Sequence, residues 1–75
     1  MPRHEALIHS ADSKKKHLSA EAEKIMAPLR DAIELEIATE QEKMRYVTRQ
    51  RYRVPLSRID TSLPENIIWP PFPEE

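Results

Sequence analysis

Seventy-five residues pass without a single glycine, and this restricts the chain more than anything it contains. Average usage of about 7% would supply roughly five. Phosphate-cradling loops, dinucleotide-binding turns and nucleophile elbows need backbone positions that a Cβ blocks, so those sites are excluded together with their chemistry. Tight primed hairpin turns are disfavoured for the same reason, which argues against a β-meander. With Ala, Glu, Lys, Leu and Arg prominent, the chain is expected to be mainly α.

Size sets the next limit. A chain of 75 residues makes one domain at most, and one this short buries only about 60% of the surface exposed when unfolded. There is no Cys, so disulfides and thiolate metal sites are unavailable, in keeping with a reducing compartment. No apolar run approaches the roughly 20 residues that span a bilayer, and no signal-type apolar segment follows the basic start Met1-Pro2-Arg3-His4. The expectation is a cytoplasmic protein that does not engage a membrane.

In chain order, residues 1–17 are polar and weakly patterned. Leu7, Ile8 and Ala11 suggest a helical turn that Lys14-Lys15-Lys16 interrupts, giving a weakly structured or short helical lead. From Leu18 the apolar residues Leu18, Ala22, Ile25, Met26, Leu29 and Ile33 fall at three- and four-residue steps, one face of a helix, with Ser19 an incomplete cap. Pro28 lies inside that stripe, where a kink or a fresh helix start is expected. Thr39-Glu40-Gln41-Glu42 is a capping box that starts a second helix near Glu40.

That second helix carries two stripes. Met44, Val47, Arg51 and Val54 form one, broken by its arginine; Tyr52, Leu56 and Ile59 form the other. Pro55 predicts a kink or an end near Val54. A connection of a few residues favours an antiparallel pair, so the predicted architecture is a kinked helical hairpin, about residues 18–36 and 40–58. The chain divides into the lead (1–17), the hairpin (18–62) and an extended proline-rich tail (63–75).

Chemistry finds little foothold in these residues. His4, His9 and His17 lack an i, i+4 pair or a carboxylate at ligand spacing, so no metal or cofactor is expected. Ser57, Thr61 and Ser62 have no histidine near enough in sequence to act as base. Asp60-Thr61-Ser62 reads as an Asx turn, the Asp60 carboxylate accepting from the Ser62 amide. Pro70 to Pro73 matches a PxxP spacing without the flanking arginine that orients such ligands. No enzyme is expected.

Lys43 to Arg58 holds six basic residues and no acid, whereas Asp60 to Glu75 holds four acids and no base. A small basic nucleic-acid-binding hairpin is the alternative reading of this run. Against it, Arg49, Arg51 and Arg53 alternate instead of lining one face, so a solvated face partly neutralised by Glu40, Glu42 and the acidic tail is preferred.

APLRDAIELEIATEQEK (27–43), YRVPLSRIDTS (52–62) and IIWP (67–70) together resemble the C-terminal region of the tail fibre assembly proteins of bacteriophages and prophages. The likeness covers about residues 22–73. In that family a glycine is usual where Glu36 stands here, a tryptophan where Arg49 stands, and a residue other than proline at Pro55. The resemblance also implies a longer family protein with a further N-terminal region, so a shortened member is expected, active or an inactive remnant.

What the resemblance implies is a chaperone-like accessory in the bacterial host cytoplasm, whose partner is the distal C-terminal region of a phage tail fibre. Fibres rich in interchain β-pairing keep unpaired edges exposed while folding, and a protein covering them raises yield without catalysis. Candidate partner contacts are Tyr52, Arg53, Arg58, Asp60, Trp69, Pro70 and Phe72. Aromatic anchors bury much area, and prolines reduce the entropy lost on docking. The competing and preferred expectation for Trp69 is that it folds back and closes a small core.

Overall fold

Two helices, α1 (His4–Glu34) and α2 (Glu40–Ser57), and a 3-10 turn at Pro64–Asn66 form the regular structure of a computed structural model that describes residues 4–73. No strand occurs among the described residues. The mainly α hairpin is as expected, with α1 packed on α2 and the 3-10 turn on α1.

The helix start near Leu18 needs correction, because α1 is continuous from His4 and takes in the supposed lead. Lysine is a good helix former, and each member of the Lys14-Lys15-Lys16 run has a partner. Lys16 pairs with Asp12 one turn earlier at 3.3 Å, and the Lys15 ammonium donates to the Ile59 carbonyl at 2.8 Å. Lys14 stands over the Trp69 ring, 4.5 Å from its centroid. Ala11 is buried and Lys15 half-buried, extending the stripe of Leu18, Ala22, Met26 and Leu29 toward the N-terminus. Ser19 therefore lies in mid-helix and caps nothing.

Neither proline starts or ends a helix: Pro28 lies within α1 and Pro55 within α2. Both are exposed, so water can reach the carbonyls they orphan. Leu29 and Leu56, their immediate neighbours, are buried. An interior proline costs about 3 kcal/mol, and packing the neighbouring residue offsets it, since burying a Leu side chain contributes about 1.5–3 kcal/mol.

The turn between the helices has clear mechanics. The Ile37 amide donates to the Ala32 carbonyl at 2.9 Å and the Glu36 amide to the Ile33 carbonyl at 3.0 Å. This is a Schellman closure of α1. The position it requires to be left-handed falls on Glu36, with φ of 60°; this is where the family resemblance places glycine. The capping box forms as expected: the Glu42 amide donates to Thr39 Oγ1 at 3.1 Å, and the Thr39 amide donates to the Glu42 carboxylate at 2.9 Å.

Of the two stripes on α2, the core takes Tyr52, Leu56 and Ile59. Tyr52 and Leu56 pack on Ala22, with Leu18, Ile59 and Trp69 around them, and Met26 and Leu29 are buried along α1. The stripe of Met44, Val47, Arg51 and Val54 faces away from it, each residue exposed.

Candidate partner-docking surface

After α2 the chain turns at Asp60, whose carboxylate accepts from the Ser62 amide at 2.9 Å and from the Ser62 hydroxyl. These bonds hold the Asp60 carboxyl below its ordinary value, with a smaller contribution from Lys15. The expected Asx turn is thus present. The Lys15 bond to the Ile59 carbonyl fixes this turn against α1, so the residues beyond it run back along the hairpin.

Pro70, Pro71 and Pro73 fix φ and supply no amide hydrogen, which keeps residues 67–73 free of helix or strand. Trp69 is half-buried against the Ala22, Tyr52 and Leu56 cluster. Phe72 stacks on Tyr52, ring centroids 5.9 Å apart and planes 25° from parallel. The tail thereby lies as a lid over the hairpin core.

The seven residues singled out from the sequence fall into separate environments. Tyr52 is core, 5% exposed, and burial pushes its phenol above the ordinary value despite the opposing charge of Arg49. Arg53 is tied to Glu23 at 2.9 Å. Arg58 is the exposed C-cap of α2, and Asp60 is the exposed turn residue. Trp69 and Pro70 are half-buried, while Phe72 stays 72% exposed although one face meets Tyr52. The structure brings Tyr52, Trp69 and Phe72 together and leaves Arg53 on a different cluster.

Two features escaped the sequence reading. Ile68 is 89% exposed on the tail; its place between Ile67 and Trp69 made it look like part of an apolar run, and only the fold shows which residue faces out. The second is a charge cluster on Glu23, which takes two bonds from Arg30 at 2.9 and 3.0 Å as well as the ion pair with Arg53. Arg30 also donates to the Tyr46 hydroxyl at 3.2 Å. Arg30 holds the Glu23 carboxyl below the usual carboxylate range, and Glu23 in turn raises the Arg30 guanidinium. Arg53 is thus neutralised from α1 by Glu23, a partner the sequence did not single out. Glu40 pairs with Lys43 at 3.1 Å.

Among the described residues no group of three His, Cys, Asp or Glu side chains stands close enough to hold a metal. No helix there is long and apolar enough to cross a membrane. What the tail offers is an apolar edge of Ile68 and Phe72, stiffened by prolines and backed by a packed core. That arrangement suits contact with another polypeptide.

The family model described as Caudovirales tail fibre assembly protein, lambda gpK, matches residues 1–74, extending the likeness well beyond residues 22–73. The "Probable tail fiber assembly protein" of Acyrthosiphon pisum secondary endosymbiont phage 1 is 46% identical over 68 residues, 91% of this chain and 44% of that protein. The "Tail fiber assembly protein" of Escherichia phage lambda is 44% identical over 66 residues, 88% of this chain and 34% of that one. "Tail fiber assembly protein U" of Escherichia phage Mu is 44% identical over 64 residues, covering 85% and 35% respectively. The chain therefore spans less than half the length of these curated relatives. No solved structure matches it. The chain belongs to the tail fibre assembly protein family of tailed phages.

Proposed function

We propose that this member of the tail fibre assembly family acts by binding alone, as a non-enzymatic accessory to the assembly of a phage tail fibre. Its contact is with the distal C-terminal region of the fibre polypeptide, in the cytoplasm of the bacterial host. The docking edge is the tail, with Trp69, Pro70 and Phe72 at its centre and Arg58 and Asp60 at the turn that positions them. Tyr52 serves from beneath, as the ring on which Phe72 rests. Arg53 belongs to this set only through its ion pair with Glu23, which holds α1 against α2.

The observation that carries this reading is that the tail is ordered on the hairpin yet keeps Ile68 and Phe72 in solvent. Apolar side chains held rigidly at the surface lose little entropy when a partner covers them. The fibre is a partner with matching need, since unpaired strand edges in a folding β-rich trimer expose apolar and hydrogen-bonding groups. The basic run on α2 gives no comparable support to nucleic-acid binding, since Arg53 is consumed by Glu23 and the relatives' names point elsewhere.

Co-expression with the C-terminal region of a phage tail fibre protein tests the proposal. The expected result is co-purification and a raised yield of soluble fibre trimer, both lost when Ile68 and Phe72 are replaced by Ser. No complex and no change in trimer yield would overturn it.

A further inference from the structure

A surface helix of a small protein normally turns a polar face to water opposite the face it packs. Helix α2 does not. Its core contacts are Tyr52 and Leu56, and Met44, Val47, Arg51 and Val54 stand across the helix from them at about 100° per residue, all exposed. Extended by one step at each end, the row becomes Glu40, Met44, Val47, Arg51, Val54 and Arg58. These are alternating three- and four-residue steps, the spacing of a coiled-coil seam. Grooves flank it on both sides: one runs between α1 and α2 past Met26 and Pro55, the other past Lys43 and Thr48, and Val47 and Arg51 border both.

The order of residues in this row identifies the occupant. Turned end for end about a point level with residue 49, the row matches itself. Glu40 then opposes Arg58, Met44 opposes Val54, and Val47 opposes the aliphatic stem of Arg51. A two-fold axis repeats each contact, as the commonest oligomer symmetry requires, and Arg51 can lay its methylenes on Val47 while its charge reaches water. A parallel pairing would set Glu40 on Glu40 and Arg58 on Arg58.

We infer that α2 is a self-association surface, along which two copies of this chain pair antiparallel through this row, with reciprocal Glu40–Arg58 ion pairs closing both ends. The surface lies on the side of α2 away from the core and does not rest on the fibre reading. A helix pair of 18 residues per copy, about 27 Å long at 1.5 Å per residue, makes a contact below the standard interface of about 1,600 Å². The dimer is therefore reversible, exchanging with monomer as the protein is diluted.

Sedimentation velocity on the full chain, run from micromolar to millimolar concentration, reads the equilibrium directly. A monomer–dimer transition is expected, weakened by about tenfold in Kd for Glu40→Arg and for Arg58→Glu, because each replaces two attractions by two repulsions. The double variant E40R/R58E restores it, because the pairs re-form with exchanged signs. Met44→Lys, which places a charge against Val54, abolishes it, while circular dichroism reports unchanged helix content for this exposed site. A chain that stays monomeric throughout overturns the inference. So does a dimer indifferent to the single variants, or one that the double variant fails to rescue.

Discussion

Phe72 rests on Tyr52 with ring centroids 5.9 Å apart, joining the end of the tail to the one aromatic ring buried in the hairpin core. Tyr52 is nearly sealed while Phe72 is largely exposed, so one side of the pair belongs to the fold and the other to solvent. Stacked pairs contribute about 0.5–1.5 kcal/mol beyond area burial. Phe72→Ala is expected at the low end of that range. Leu56→Ala is expected to cost about 2–5 kcal/mol, enough to unfold a chain this small. Urea melts followed by circular dichroism separate the two.

Glu36 holds a left-handed backbone that the Schellman closure of α1 demands, and a residue with a Cβ loses about 1–2 kcal/mol there. Glu36→Gly is therefore expected to stabilise the hairpin, by about 1 kcal/mol once the extra freedom of unfolded glycine is counted. A raised thermal midpoint confirms it. A lowered one means the turn takes a different conformation.

At the other side of that turn, Thr39→Ala removes the hydroxyl that accepts from the Glu42 amide. The expected loss is about 1 kcal/mol, seen as faster hydrogen exchange over the first turn of α2. Thr39→Ser should behave almost as the original, because the cap needs only the oxygen.

These local devices were legible in the sequence because each is written within four residues: Thr39 to Glu42 for the cap, Asp60 to Ser62 for the Asx turn. The apolar step from Leu18 to Ile33 was legible too. The start of α1 was not, since Lys15 belongs to the packed face through a bond to Ile59, 44 residues away, and a lysine carries no apolar signal. Two stripes on α2 were equally visible, and periodicity could not say which faces α1. The Glu23 cluster joins residues seven and thirty apart, beyond the spacings that mark helix pairs. The fold-back of Trp69 was anticipated, whereas the stacking of Phe72 on Tyr52 and the Lys15 bond that sets the turn depended on tertiary contacts.

Titration should loosen the fold from both ends of the pH scale, by protonation of Glu23 in acid and deprotonation of Tyr52 in alkali. Glu23 titrates below its usual value when folded. Its contribution is thus present above the unfolded pKa, near 4.5, and is lost as pH falls through the lower folded pKa. Tyr52 titrates above its ordinary value of 10.0, so its contribution is whole below that and is lost as pH rises through the higher folded pKa. Thermal melts across pH should show a plateau between these limits. Glu23→Gln should shrink the acid limb to the part that Asp60 contributes and leave the alkaline limb in place.

Lys14 over the Trp69 ring makes the only tryptophan of the chain a reporter of the central claim, that the tail rests on the hairpin and receives the fibre there. Acrylamide quenching of its fluorescence, free and with the fibre C-terminal region added, is the direct measurement. Partial protection in the free chain, deepening as fibre is added, is the predicted result. Quenching as complete as that of a free tryptophan amide, with and without fibre, would contradict the account.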